Sequence, residues 1–152
     1  MVNTMRLRLR RMMWITALAI GALAGGQALM TASAAKRPAE REFGLGPRVS
    51  ANGMFTAMLL PVEPVRVRTL QSMTVVITDA SMHPVDNAQL TIDGGMPRHG
   101  HGLPTKPRVT SHIGGGVYEI DGVRFNMGGW WEFKVAITTP AGTDVVTFNL
   151  NL

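Results

Sequence analysis

After residue 50, apolar and polar residues alternate in short runs, and this alternation constrains the fold more than any other feature of the sequence. The run WEFKVAIT, Trp131 to Thr138, places its Trp, Phe, Val and Ile on one face of an extended chain. Turn-forming Gly, Pro, Asp and Asn residues separate the runs, and no segment there has helical periodicity of useful length. The pattern predicts an all-β fold whose sheets each bury one face.

Seven strands are predicted from these runs. They cover Met54–Leu60, Leu70–Ala80, Ala88–Asp93, Arg108–Ile113, Gly116–Val123, Trp131–Thr138 and Asp144–Leu152. Short strands at this spacing, with turn signals between them, favour an immunoglobulin-like β-sandwich.

An antiparallel arrangement of these strands also predicts where the connections lie. The first, third and fifth connections, Pro61–Thr69, Gly94–Pro107 and Arg124–Trp130, should meet at one end of the sandwich, here called the loop end. His83 and His112 should lie away from that end.

The N-terminal residues 1–35 have the layout of a secretory signal peptide. Arg6, Arg8, Arg10 and Arg11 precede an uncharged stretch from Met12 to Ala35 that ends in the small residues TASAA. Cleavage is expected after Ala34 or Ala35, which would make the protein periplasmic or exported. The uncharged stretch is also long enough for a membrane anchor, and that alternative stays open.

The charge balance argues against a nucleic-acid partner. The chain has 15 basic and 10 acidic residues, and the four N-terminal arginines account for most of the excess. The remainder is nearly neutral and has no basic block of the kind that binds nucleic acid. Because the chain has no cysteine, disulfides, thiolate metal sites and cysteine nucleophiles are excluded.

Residues 36–50 separate the signal from the domain. The stretch KRPAEREFGLGP is charged and contains Gly and Pro, so we expect a flexible tether over 36–50 and a folded domain over 51–152.

The stretch GGMPRHGHGLP, Gly94 to Pro104, contains the candidate metal ligands. His99 and His101 are one residue apart, so in an extended segment both imidazoles would project from one side. Met96 precedes them, and Met127 should reach the same end from the fifth connection. Imidazole binds several transition metals and thioether favours Cu(I), so this set without cysteine predicts copper. The alternative is that the histidines satisfy loop carbonyls and the methionines fill the core.

Adjacent tryptophans at 130 and 131 should point to opposite faces of a strand. We expect one to anchor the core and Trp130 to form part of the loop-end surface. No serine has a nucleophile-elbow context, the aspartates flank turns, and no phosphate-binding motif is present, so we do not expect an enzyme.

The stretches DGGMPRHGHGLPTKPRVT and GGGVYEIDGVRFNMGGWWEFKVAI resemble the YtkA-like domain family, which is related to the FixH-like proteins. The resemblance covers roughly Phe55 to Leu150. It implies a small exported or membrane-tethered immunoglobulin-like sandwich, and some relatives are linked to copper handling and haem-copper oxidase assembly. FixH-like proteins keep a membrane helix. The family's motif residues carry over to Met96, His99, His101, Met127 and Trp130.

Two functions remain open from the sequence. The first is a domain that binds copper through the Met/His loop, for copper handling or respiratory oxidase assembly. The second is a metal-free module that docks on another periplasmic or membrane protein through the same loop end. In both, the membrane is contacted only through the N-terminal segment, if that segment is not cleaved.

Overall fold

The computed structural model describes residues 35–152, so the predicted signal peptide or anchor lies outside the described residues except for Ala35. These described residues contain nine strands: β1 (Arg48–Val49), β2 (Phe55–Pro61), β3 (Gln71–Asp79), β4 (Gln89–Met96), β5 (His101–Gly102), β6 (Arg108–Gly114), β7 (Val117–Val123), β8 (Trp130–Thr139) and β9 (Gly142–Asn151). Within 35–152 the helical content is the three-residue 3-10 turn Glu40–Glu42, and nothing there could cross a bilayer as a helix.

The strands form two antiparallel sheets, which confirms the all-β prediction and its sandwich arrangement. One sheet has the order β1-β2-β3-β7-β6 and the other has the order β5-β4-β8-β9. Each predicted strand matches β2, β3, β4, β6, β7, β8 or β9 to within three residues at either end. The largest difference is at β4, which runs past Asp93 to Met96 and so includes the start of the predicted third connection.

The core lies between the sheets and follows the period-2 pattern. Alternate residues of β3, β8 and β9 are buried, while the residues between them are more exposed. The buried set includes Met73, Val75, Ile77, Trp131, Phe133, Val135, Ile137, Val146, Phe148 and Leu150. Residues 35–152 belong to one compact unit that contains this whole core, so we expect the segment without its signal to fold by itself.

Residues 36–50 differ from the flexible tether that the sequence predicts. The N–H of Gly44 donates to the carbonyl of Asn149 at 2.8 Å, and the carbonyl of Leu45 accepts from the N–H of Leu59 at 2.9 Å. The segment therefore runs between β9 and β2 and covers part of the outer edge of β9, which would otherwise be left unpaired. The prediction of a tether rested on the charged, Gly-containing composition and did not take account of Leu45, which packs against the core.

Asp144 organises the end of the sandwich opposite the loop end. Its side chain is almost fully buried and accepts hydrogen bonds from the backbone N–H groups of Asn52, Met54 and Val145. Burial by itself raises the pKa of Asp144, but the hydrogen bonds from the Ser50 hydroxyl and these N–H groups outweigh it and lower the pKa to about 2.

We expect Asp144→Asn to lower the free energy of unfolding at neutral pH. The variant should also show a smaller loss of that free energy than the parent when the pH is lowered. Because the folded pKa of about 2 is below the ordinary 3.8, the ionised carboxylate stabilises the fold above that ordinary value. This stabilisation is lost as pH falls through about 4 towards 2. Urea unfolding across this range measures it, with the exposed Asp121→Asn as control. Equal stability of Asp144→Asn and the parent at neutral pH would contradict this reading.

We expect Phe133→Ala to cost about 3–5 kcal/mol of unfolding free energy, because Phe133 is fully buried between the sheets. Replacing the exposed Glu119 by Ala should change the same quantity by about 0.5 kcal/mol or less. Chemical denaturation of both variants provides the comparison. Equal losses would mean that β8 does not pack as described.

Candidate metal centre

The two predicted histidine ligands lie on a β-hairpin formed by β4 and β5. The carbonyl of Met96 accepts hydrogen bonds from the N–H groups of His99 and Gly100, both at 3.0 Å. Pro97 occupies the first central position of this turn, where its fixed φ is favourable. Gly100 has a φ of 67°, in the left-handed region that glycine adopts most easily. The segment is thus a closed turn and not an extended stretch.

Glycine at 95 allows β5 to lie close against β4. Gly95 pairs with Gly102, and Met96 pairs with His101. A Cβ atom on Gly95 would collide with the carbonyl oxygen of His101 and lie 2.9 Å from the Cα of Gly102. A side chain at this position would therefore displace His101.

The imidazoles of His99 and His101 come together at the tip of this hairpin. Their ring centroids are 5.9 Å apart, and both residues are exposed. Two imidazoles that share one metal, with metal–nitrogen bonds of about 2 Å, have centroids about 5–6 Å apart. Nδ1 of His101 lies 3.3 Å from the carbonyl oxygen of Gly102. When Nδ1 donates there, Nε2 is left to bind a ligand.

Trp131 lies against His101 and joins the hairpin to the fifth connection. Its buried indole is in edge-to-face contact with His101, with centroids 5.7 Å apart, and with Phe125 at 5.2 Å. Its Nε1–H donates to the carbonyl of Met127 at 3.0 Å. The third and fifth connections therefore meet, as predicted.

The two candidate thioethers have different environments. The side chain of Met127 is at the surface, with 42% of the residue exposed. Met96 is 2% exposed and belongs to the core, with its Cε close to Gly129. Since Met96 and His101 are cross-strand partners, their side chains leave the hairpin on the same face. The thioether of Met127 is thus accessible to a metal at the surface, whereas that of Met96 is enclosed by the core.

Trp130 is not at the surface, which corrects the expectation from the sequence. It is 5% exposed, and its Nε1–H donates to Oδ1 of Asn149 at 2.9 Å. The amide nitrogen of Asn149 in turn donates to the carbonyl of Glu42. Trp130 lies on the outer face of its sheet, where the strand pattern predicts exposure, but Asn149 links it to the segment that was expected to be a tether.

The first connection also reaches the loop end. Val67 forms a parallel bridge with Phe125, and the N–H of Arg68 donates to the carbonyl of Phe125 at 2.6 Å. In the structure the loop end therefore consists of the connections 62–70, 97–107 and 124–129.

The other two histidines lie away from the loop end, as predicted. Nδ1 of His83 lies 3.4 Å from Asp79, and the backbone N–H of His83 is the main cause that lowers the pKa of Asp79. Nε2 of His112 lies 3.0 Å from Asp86, whose pKa is lowered first by the N–H of Gly116 and then by His112. Both carboxylates fix turns, so these pairs are structural.

A polar groove of about 380 Å³ borders the hairpin. It is lined by His101, Asp93, Glu132 and Lys134, and Nζ of Lys134 lies 2.8 Å from the Glu132 carboxylate. Sequence reasoning missed this neighbourhood because the strand pattern marks these residues only as solvent-facing. Within residues 35–152, no three His, Cys, Asp or Glu side chains form a group that could hold a metal. A metal at the histidines would need thioether, backbone or water ligands as well.

Comparison with known proteins places the chain in a family. Among solved structures, the chain is similar to the ZirS C-terminal domain, with a TM-score of 0.37 and 11% sequence identity. The alignment covers 94% of this chain and 95% of that domain. A search of curated proteins finds no match. The YtkA-like family model matches residues 54–136, which is more than half of the chain and includes the hairpin, Met127, Trp130 and Trp131. The chain belongs to the YtkA-like family.

Proposed function

We propose that this domain is exported and binds copper through His99 and His101, in a non-catalytic role in copper handling or respiratory oxidase assembly. The observation that carries the proposal is the pair of exposed imidazoles, 5.9 Å apart at the tip of a hairpin whose turn is closed by two backbone hydrogen bonds. This spacing suits two ligands on one metal ion.

The donor chemistry favours copper over other metals. Zinc in proteins is usually held by three or four Cys, His or carboxylate ligands, and the described residues offer no such group. Two imidazoles suit Cu(II), while the exposed thioether of Met127 suits Cu(I). Met96 is enclosed by the core, so its sulfur would join only if the hairpin shifted.

An incomplete ligand set at the surface suits transfer of the metal rather than storage. Ligand positions that the hairpin does not fill remain open to water or to a donor from another protein. An exported compartment fits the sequence of residues 1–35 and the absence of cysteine, since methionine and histidine ligands are not lost to disulfide formation.

We assign the sandwich to the immunoglobulin-like type. The sheet orders β2-β3-β7-β6 and β4-β8-β9 correspond to the A-B-E-D and C-F-G sheets of that fold, with β5 as an additional edge strand. This correspondence supports the assignment and explains why connections from distant parts of the sequence share one end.

The second candidate function is a metal-free module that docks on a periplasmic or membrane protein through the same end. It is favoured by the exposed aliphatic side chains of the first connection, Val62 and Leu70. Copper titration separates the two functions, because a docking module has no need of the imidazole pair.

We expect His99→Ala/His101→Ala to abolish Cu(II) binding while leaving the fold intact, because both side chains are outside the core. Quenching of tryptophan fluorescence measures binding, since Trp131 contacts His101.

His83→Ala is the matched control for the double variant, because it removes an exposed histidine at the opposite end. It should bind Cu(II) like the parent. Unchanged Cu(II) binding by the double variant would refute the site. Unfolding of that variant, followed by circular dichroism, would show instead that the histidines hold the loop.

We expect Met127→Leu to weaken Cu(I) binding more than Cu(II) binding, because it removes a soft donor and keeps the side-chain volume. Met82→Leu is the control, since Met82 is an exposed methionine next to His83. Competition with a Cu(I) chelator under reducing conditions gives the affinities. Equal effects of the two substitutions would remove Met127 from the site.

A further inference from the structure

The loop end carries five of the eleven basic side chains of residues 35–152 but one of the ten acidic ones, so its net charge is positive. Its basic residues are Arg66, Arg68, Arg98, Lys106 and Arg124, and its acidic residue is Glu63. The rest of residues 35–152 carries more acidic than basic side chains. The domain as a whole is nearly neutral, but net positive charge is concentrated at the loop end.

These basic side chains are available to an external partner. All five are exposed, and none forms an ion pair with another side chain among residues 35–152. Arg68 is also held in place, because its N–H donates to Phe125 and its Nε donates to the carbonyl of Asn126. The surface is thus cationic, and Arg68 has a fixed position on it.

Exposed aliphatic side chains lie among the charges. Val62 is 71% exposed and Leu70 is 66% exposed, and both line a groove of about 400 Å³ together with Arg66. Val67, beside Arg66 and Arg68, is partly exposed as well. Arginines interleaved with aliphatic residues are the composition that binds at the interface of an anionic bilayer.

The start of the described chain lies at this same end. Nη1 of Arg37 lies 3.5 Å from Oδ1 of Asn151, and Asn151 pairs with Trp130 at the beginning of β8. The uncharged stretch from Met12 to Ala35 immediately precedes this point in the sequence. Whether that stretch is an anchor or a signal awaiting cleavage, it joins the domain at the cationic end.

We propose that the loop end binds the surface of an anionic lipid bilayer, with Arg66, Arg68, Arg98, Lys106 and Arg124 facing the headgroups and Val62 and Leu70 entering the interface. This contact goes beyond the N-terminal segment and can form without copper. It would present the His99–His101 hairpin to the membrane side.

The test is co-sedimentation of residues 36–152 with vesicles. Vesicles containing about one-third phosphatidylglycerol in phosphatidylcholine should bind the protein, and phosphatidylcholine alone should not. Binding should weaken strongly between about 0.05 and 0.5 M salt, because salt screens the attraction.

Charge-removal variants localise the contact. Arg66→Gln/Arg124→Gln should reduce partitioning about 25-fold, since each basic residue near an anionic surface contributes about fivefold. The control Ser81→Asp/Asn87→Asp makes the same change in net charge at exposed positions of the opposite end and should reduce binding far less. Arg98→Gln/Lys106→Gln, in another connection, repeats the test should the first variant fail to fold.

Absence of binding to the anionic vesicles at low salt would overturn the proposal, as would equal losses in the loop-end and control variants. Retention on polyglutamate that depends on Arg66 and Arg124, without vesicle binding, would also overturn it and would identify the partner as an acidic protein.

Discussion

The hydrogen bond from the indole of Trp131 to the carbonyl of Met127 holds the loop end together. Trp131 is fully buried, so its N–H must find a partner within the protein, and the fifth connection supplies it. The same ring contacts Phe125 in the core and His101 on the hairpin. One side chain therefore fixes two connections relative to each other, and the candidate site depends on that fixed relation.

The hairpin illustrates how a surface site can be rigid without being large. Its turn is closed by the Met96 carbonyl, and its strands can approach because Gly95 has no side chain. The side chain of Met96 packs into the core and so attaches the hairpin to the sandwich. Packing alone therefore accounts for a methionine at position 96, without a bound metal. The candidate ligands that packing does not account for are the exposed residues His99, His101 and Met127.

Much of this arrangement could be predicted from the sequence. Alternation located the seven longer strands, and antiparallel connectivity then brought the first, third and fifth connections together. The predictions that failed are those in which tertiary contacts outweigh local pattern. Trp130 is buried on an outward-facing position, and the segment around Leu45 packs against the sandwich despite its charged composition. The two-residue strand β5 is too short to show alternation, so the approach of His101 to β4 could not be foreseen.

Charge at the loop end bears on which form of copper the proposed site would prefer. The five basic side chains create a positive potential, which opposes the approach of any cation and opposes Cu(II) more than Cu(I). Long-range attraction cannot supply the affinity, so it would have to come from the short-range bonds of imidazole and thioether. The positive potential and the thioether of Met127 thus both favour binding of Cu(I) over Cu(II). An anionic surface placed against the loop end would neutralise this potential, so that lipid contact and metal binding would favour each other without sharing a ligand.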